Sequence, residues 1–197
     1  MFCSLEEAIE DFQQGRFLVL VDAEDREDEG DLITAAQLIT PEKVNLMIAE
    51  ARGMFLFPAP EDHLRQLGIP LIQPRHAHPT SPRFGVPFDA RFGITTGISA
   101  ADRAITVQRA ARPEAGPDEF VIPGHVLPLA ACAGGLRARQ GHTEGAVELA
   151  RLAGLFPAAA MSEVLTPDGQ MARGAQLQAF ARRLGCKVLA IEQLRRG

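Results

Sequence analysis

Leu5, Ala8, Ile9 and Phe12 recur at helical spacing behind the capping-box pattern Ser4-Leu5-Glu6-Glu7, which predicts a helix ended by Gly15. The apolar run Phe17 to Val21 predicts a buried strand, and Leu32 to Leu38 a second. Thr40-Pro41 opens a helix with a cap and a first-turn proline, and Arg52-Gly53 closes it. Met54 to Phe57 reads as a strand and Glu61 to Leu67 as a short helix. Residues 73–87 carry four prolines and no periodicity, which predicts a long loop. Ser99-Ala100-Ala101-Asp102 starts a helix to about Ala111, and Phe120 to Ile122 is a short strand ending in Pro123-Gly124-His125. Thr143 is the expected cap of a helix through Ala153. Ala158 to Leu165 is a strand carrying Glu163, and a helix (175–184) and strand (187–191) finish the chain. Helices and strands interleave without repeat or composition shift, so we expect one domain of α/β class over residues 1–197, with helices on both faces of a sheet.

Charge changes this picture at one place. The net charge is -5, yet residues 22–31 alone hold seven acids against Arg26; without them 18 acidic and 19 basic residues remain. The acidity is therefore local. No basic or aromatic cluster suggests a nucleic-acid surface, and no apolar run approaches the roughly 18 residues of a membrane span. Cys3, Cys132 and Cys186 share no metal-ligand spacing, which fits a reduced, cytoplasmic protein and gives no zinc cluster.

The acidic stretch DREDEGD (25–31) directly follows an apolar strand. A calcium loop is a poor fit, because its twelfth position would be Ala36 where a bidentate glutamate is needed. If the stretch is extended, Glu27, Glu29 and Asp31 share a face, an arrangement that like-charge repulsion opposes unless a cation or protons compensate. Hard oxygen donors at a strand end point to magnesium or manganese with coordination left for substrate oxygens. Arg139-Gln140-Gly141-His142-Thr143 suits the other half of such a site: free N–H groups at a helix start and an arginine fork hold a phosphate, and His142 can ligate the metal. His125 lies just past a strand, and Glu163 sits in an apolar strand, as a semi-buried acid in proton transfer or as an outward edge residue. His76 and His78, in the proline-rich loop, read as solvated.

At these residues the chain resembles the 3,4-dihydroxy-2-butanone 4-phosphate synthase family of riboflavin biosynthesis. DREDEGD (25–31), TTGISAADRAIT (95–106), PGHVLPL (123–129), RQGHTEGAVELARLAGL (139–155) and Glu163 occur in family order across nearly the whole chain. The resemblance implies a magnesium- or manganese-dependent lyase that converts ribulose 5-phosphate into 3,4-dihydroxy-2-butanone 4-phosphate and formate. It implies a three-layer α/β/α fold around a mixed sheet, and a homodimer with active sites near the subunit interface. Carried over by motif, Glu27 and His142 hold the metal with Glu29 in or beside that shell. Arg26, Asp31 and Arg139 to Thr143 contact the sugar phosphate, and His125 and Glu163 serve proton transfer. Alternatives are a non-catalytic sugar-phosphate or metal-binding relative, and another magnesium-dependent isomerase or aldolase.

The chain departs from the family pattern at Asp28, usually asparagine, and Leu56, commonly cysteine. Pro82, Gly85 and Pro87 stand where hydroxyl residues are usual. Those three are expected to weaken substrate binding or loop closure, and restoring threonine at 82 and 85 and serine at 87 to raise efficiency.

Overall fold

All four residues of Leu18–Val21 (β1) are buried, although successive side chains of a strand point to opposite faces of its sheet. Both faces must then be covered. The computed structural model describes residues 2–23, 26–76 and 81–195 and shows how. Asp25, His78 and Thr80 lie outside the described residues.

The remaining strands are Gly30–Ala35 (β2), Leu56–Pro60 (β3), Arg83–Phe84 (β4), Phe88–Ala90 (β5), Phe120–Ala131 (β6), Ala159–Glu163 (β7) and Lys187–Ala190 (β8). They form one mixed sheet in the order β4-β6-β3-β7-β2-β1-β8, with β5 on β6. The pairs β1/β8 and β3/β6 are parallel and the others antiparallel. The helices are Leu5–Gln13 (α1), Pro41–Leu46 (α2), Glu61–Gln66 (α3), Ala100–Ala110 (α4), His142–Leu152 (α5), Gly174–Leu184 (α6) and Ile191–Leu194 (α7).

Alternation along the strands sorts their side chains into two cores. Val19, Val21 and Leu32 pack with Val44 of α2, Val107 of α4 and Phe180 of α6. Leu18, Leu20 and Ile33 pack with Phe12 of α1, Leu149 of α5 and Leu194 of α7. This is the expected three-layer arrangement. Phe12, Phe57 and Phe88 are fully buried, each worth about 1.5–3 kcal/mol of hydrophobic stabilisation.

Local signals carried over well. Ser4 and Glu7 form the reciprocal capping box of α1, Thr40 caps α2 and Ser99 caps α4. Four expectations change. The second strand begins at Gly30, two residues early, and turns into a 3-10 helix at Ala36, so Asp31 is inside the sheet and buried. The supposed loop 73–87 contains β4. The strand from Phe120 does not stop at Gly124 but runs to Ala131. Residues 122–125 loop out between the pairs Asp89↔Val121 and Phe88↔Val126, which lets the strand resume beyond its proline. Finally, Gly141 rather than Thr143 is the N-cap of α5, and Thr143 is buried in its first turn.

Candidate active site

Three strands supply the floor of a cleft of about 160 Å³: Leu56 from β3, Leu129 from β6 and Met161 from β7. Its rim holds Arg26, Glu27, Glu29, Asp31, Arg139, His142, Thr143 and Glu163, with Pro82 and Phe84 closing one side. Eight residues singled out from three distant stretches of sequence therefore meet in one place. Gln140 is exposed, Gly141 is buried and His125 sits elsewhere; none of the three lines the cleft.

The acidic stretch is not the extended segment that alternation assumed. Residues 26 and 27 form a turn and Asp28 adopts a left-handed conformation at φ 53°, so the carboxylates converge by reversal of the chain. Asp22 organises that reversal: it accepts from Glu29 N at 2.8 Å and pairs with Arg26 Nη1 at 2.5 Å, while Arg26 Nη2 reaches Glu27 Oε1 at 2.8 Å. From the N-cap of α6, Arg173 donates to the carbonyls of Glu27 and Asp28 and pairs with Glu29 Oε1 at 3.1 Å. Glu29 is thus committed to an arginine, and burial followed by the nearby Glu27 charge pushes its pKa up.

Among the described residues, the group able to hold a cation is Asp22, Glu27 and His142, whose ligand atoms lie within 4.8 Å of one another. Two carboxylates and an imidazole suit a hard or borderline divalent ion. Asp22 was not foreseen as a member, and the only sequence signal is its place as the first polar residue after β1. His142 opens α5, and its Nε2 lies 3.3 Å from the Glu29 carbonyl. The helix start has no side-chain cap, which leaves its first-turn N–H groups for an anion.

Glu163 ends β7 directly opposite Asp31 of β2. Facing like charges on adjacent strands repel, and here Asp31 is buried and Glu163 half-buried. Burial raises the pKa of both, with Asp31 adding to the rise at Glu163. One oxygen, Oε2, accepts from Met54 N at 2.8 Å. Gly53 makes room: a Cβ there would lie 2.5 Å from both the backbone O and Oε2 of Glu163, so this glycine lets the chain approach Glu163 closely, while Arg52 takes the left-handed conformation at φ 71° at the preceding helix end.

His125 occupies the loop that bulges from β6. Its Nδ1 meets Asp89 Oδ2 at 2.7 Å, and its backbone N–H donates to Asp89 Oδ1 at 2.9 Å. Two glycines of the quoted motifs cradle the pair. A Cβ on Gly97 would come within 2.6 Å of His125 Nδ1, and one on Gly124 within 2.7 Å of Asp89 Cγ. Asp89 orients the imidazole and fixes its tautomer. The neighbouring stretch TTGISAAD closes on itself, with Asp102 accepting from Thr95 and Gly97.

Of the three departures at 82, 85 and 87, Pro82 alone borders the cleft. A Cβ on Gly85 would lie 2.7 Å from Pro128 Cγ and 3.2 Å from Ile69 Cγ2. The expectation that threonine at 85 raises efficiency is therefore withdrawn. Gly85→Thr should instead lower stability by about 1–3 kcal/mol, read as a lower Tm, because overpacking forces neighbours apart.

A profile of the 3,4-dihydroxy-2-butanone 4-phosphate synthase family matches residues 6–196. The 3,4-dihydroxy-2-butanone 4-phosphate synthase of Pseudomonas aeruginosa is 46% identical over 191 residues, 97% of this chain and 52% of the relative. That of Neisseria meningitidis serogroup A is 44% identical over 190 residues, covering 96% and 52%. The chain thus spans about half the length of these curated relatives. Among solved structures, a two-domain synthase, RibBX, from A. baumannii superposes with a TM-score of 0.93 at 43% identity, over 98% of this chain and 56% of that one. A synthase in complex with two magnesium ions gives 0.92 at 40% identity, over 98% and 95%. Family-wide sequence agreement and a shared three-layer frame coincide with the cleft just described, and the chain belongs to the 3,4-dihydroxy-2-butanone 4-phosphate synthase family.

Proposed function

We propose that this chain, as one domain over residues 1–197, converts ribulose 5-phosphate into 3,4-dihydroxy-2-butanone 4-phosphate and formate for riboflavin biosynthesis, in the cytoplasm, with magnesium or manganese. The observation that carries this reading is the convergence of Arg26, Glu27, Glu29, Asp31, Arg139, His142, Thr143 and Glu163 on one cleft. Among the described residues no helix is long and apolar enough to cross a membrane.

The two products together contain the atoms of one substrate molecule, so the reaction needs proton transfers and no outside oxidant. Arg139 and the uncapped start of α5 bind the phosphate and fix the sugar's direction along the cleft. Glu27 and His142, with Asp22 beside them, would hold the divalent ion. When bound, that ion polarises the ketone and an adjacent hydroxyl and acidifies the neighbouring C–H. Glu163, a carboxyl whose proton is held more tightly than in water, takes and returns protons at its oxygen atoms. The apolar floor of Leu56, Leu129 and Met161 limits water around it.

His125 is the group this single-chain cleft lacks. It is exposed, and exposed apolar residues stand near it in the chain, Val121 and Ile122, and beside Gly97, Ile98. These features support a homodimer in which one subunit's His125 serves its partner's cleft. Mixing inactive Glu27→Gln and His125→Ala proteins should then restore up to about a quarter of wild-type activity in shared dimers, whereas no recovery despite subunit exchange would refute the shared site.

The deciding experiment is incubation of the purified chain with ribulose 5-phosphate and magnesium. Formate and the four-carbon phosphate should appear in equal amounts. Substrate consumed without formate would favour an isomerase or aldolase, and binding without consumption a non-catalytic relative.

A further inference from the structure

We infer that Glu144, which does not line the cleft, is a positioning residue for Arg139 and thereby tunes how tightly the cleft holds the phosphate of its ligand. The inference rests on the sugar-phosphate reading above. Glu144 is only 1% exposed and borders a separate groove, lined also by Cys132 and Leu136. Its Oε2 accepts from Arg139 Nη1 at 2.7 Å and its Oε1 from Cys132 N at 3.0 Å. Both oxygens are thus engaged, one on the cleft arginine and one on the chain just past β6.

An acid in the first turn of a helix ordinarily caps it or answers its dipole. Here the side chain lies in the first turn but makes no capping bond, since Gly141 has no side-chain cap and the carboxylate oxygens accept from Arg139 and Cys132 instead. Gly141 has a matching role. A Cβ on it would fall against the Arg139 guanidinium, 2.7 Å from Cζ, and 3.0 Å from Glu144 Oε2. In RQGHTE the glycine clears a passage, the glutamate anchors and the arginine is held across it.

The physical gain is pre-organisation. An arginine has many rotamers, and ordering it before the ligand arrives removes that entropy cost from binding. A charge-assisted bond at Nη1 also sets the plane of the guanidinium, on which a bidentate phosphate contact depends.

The test is a cycle of wild type, Glu144→Gln, Arg139→Met and the double variant. Inorganic phosphate binding is read by calorimetry, with kcat and KM for ribulose 5-phosphate alongside. Glu144→Gln should weaken phosphate binding and raise KM about tenfold while kcat changes less than about threefold. In the Arg139→Met background the same change should cost nothing further. Gly141→Ala, which keeps the Glu144 carboxylate but crowds its contact with Arg139, should reproduce the KM effect and keeps the inference testable if Glu144→Gln does not fold. Equal losses from Glu144→Gln in both backgrounds, wild-type phosphate affinity in the Glu144 and Gly141 variants, or no phosphate binding by the wild type would overturn it. A wild type that binds phosphate and releases no formate would sink only the parent reading.

Discussion

Glu27→Gln is expected to cut metal-dependent formate release by about a hundredfold or more while leaving the fold intact. The side chain is 44% exposed, so no buried partner is orphaned by the change. What is lost in the folded state is its ion pair with Arg26, and surface pairs contribute about 0–1 kcal/mol. Removing one of the crowded carboxylates offsets part of that in metal-free buffer. His142→Ala should lose metal dependence in the same way, at a stability cost of about 1–3 kcal/mol because His142 is buried. Titrating magnesium or manganese into each variant in the presence of ribulose 5-phosphate tests the pairing. Wild-type metal affinity in both would mean that these residues, 115 positions apart in the chain, do not share an ion. Asp22→Asn separates ligation from bracing: it should weaken metal binding and also loosen the turn that Asp22 ties through Arg26 and the Glu29 N–H.

The second large effect belongs to Glu163. Glutamine at this position can keep the hydrogen bond from Met54 N but cannot carry a proton, so kcat should fall about 10²- to 10⁴-fold with the fold retained. Stability should move the other way. Burial, with Asp31 adding to it, raises the folded-state pKa of Glu163 above its unfolded value of about 4.3. The folded protein therefore holds this proton longer than the unfolded chain. The group's favourable contribution is complete below the unfolded pKa and is lost as pH rises through the folded one. Glu163→Gln should accordingly melt higher than wild type at pH 8 without metal, and the advantage should disappear near pH 4. An unchanged kcat would remove Glu163 from the chemistry, and a Tm difference independent of pH would remove the buried-carboxylate explanation.

Stability sacrificed at one carboxylate fits the rest of the site. Asp31 faces Glu163 across two strands, and Glu29 is pushed up by burial as well. Three acids near one cleft are held in a state that a cation bound there would relieve. Arg26 and Arg173 keep the turn in shape until then.

Helix starts were legible because capping is decided within four residues: Ser4 with Glu7, Thr40 with Pro41, and Ser99 with the N–H of Asp102. Buried strands were legible because continuous apolar runs such as Leu18 to Val21 have to be covered on both sides. The kinds of residue that line the cleft were legible for the same local reason, since DREDEGD and RQGHTE each carry their charges and glycines in a few consecutive residues. The length of β6 was not, because the proline and glycine that normally end a strand are here accommodated by a bulge whose partner, β5, lies more than thirty residues earlier. Nor was the need for glycine at Gly85, which answers to Pro128 and Ile69.

By itself the sequence determined the class of fold, the two-faced burial of its strands and the kinds of group in the site, all properties of short windows of chain. Only the tertiary structure decided that Asp22 would join Glu27 and His142, that Asp89 would hold His125, that Arg173 would pin the acidic turn and that Asp31 would face Glu163. Those pairings are set by sheet register and by packing between elements far apart in the chain. A carboxylate's role depends on which charge stands a few ångströms away and how much water remains between them.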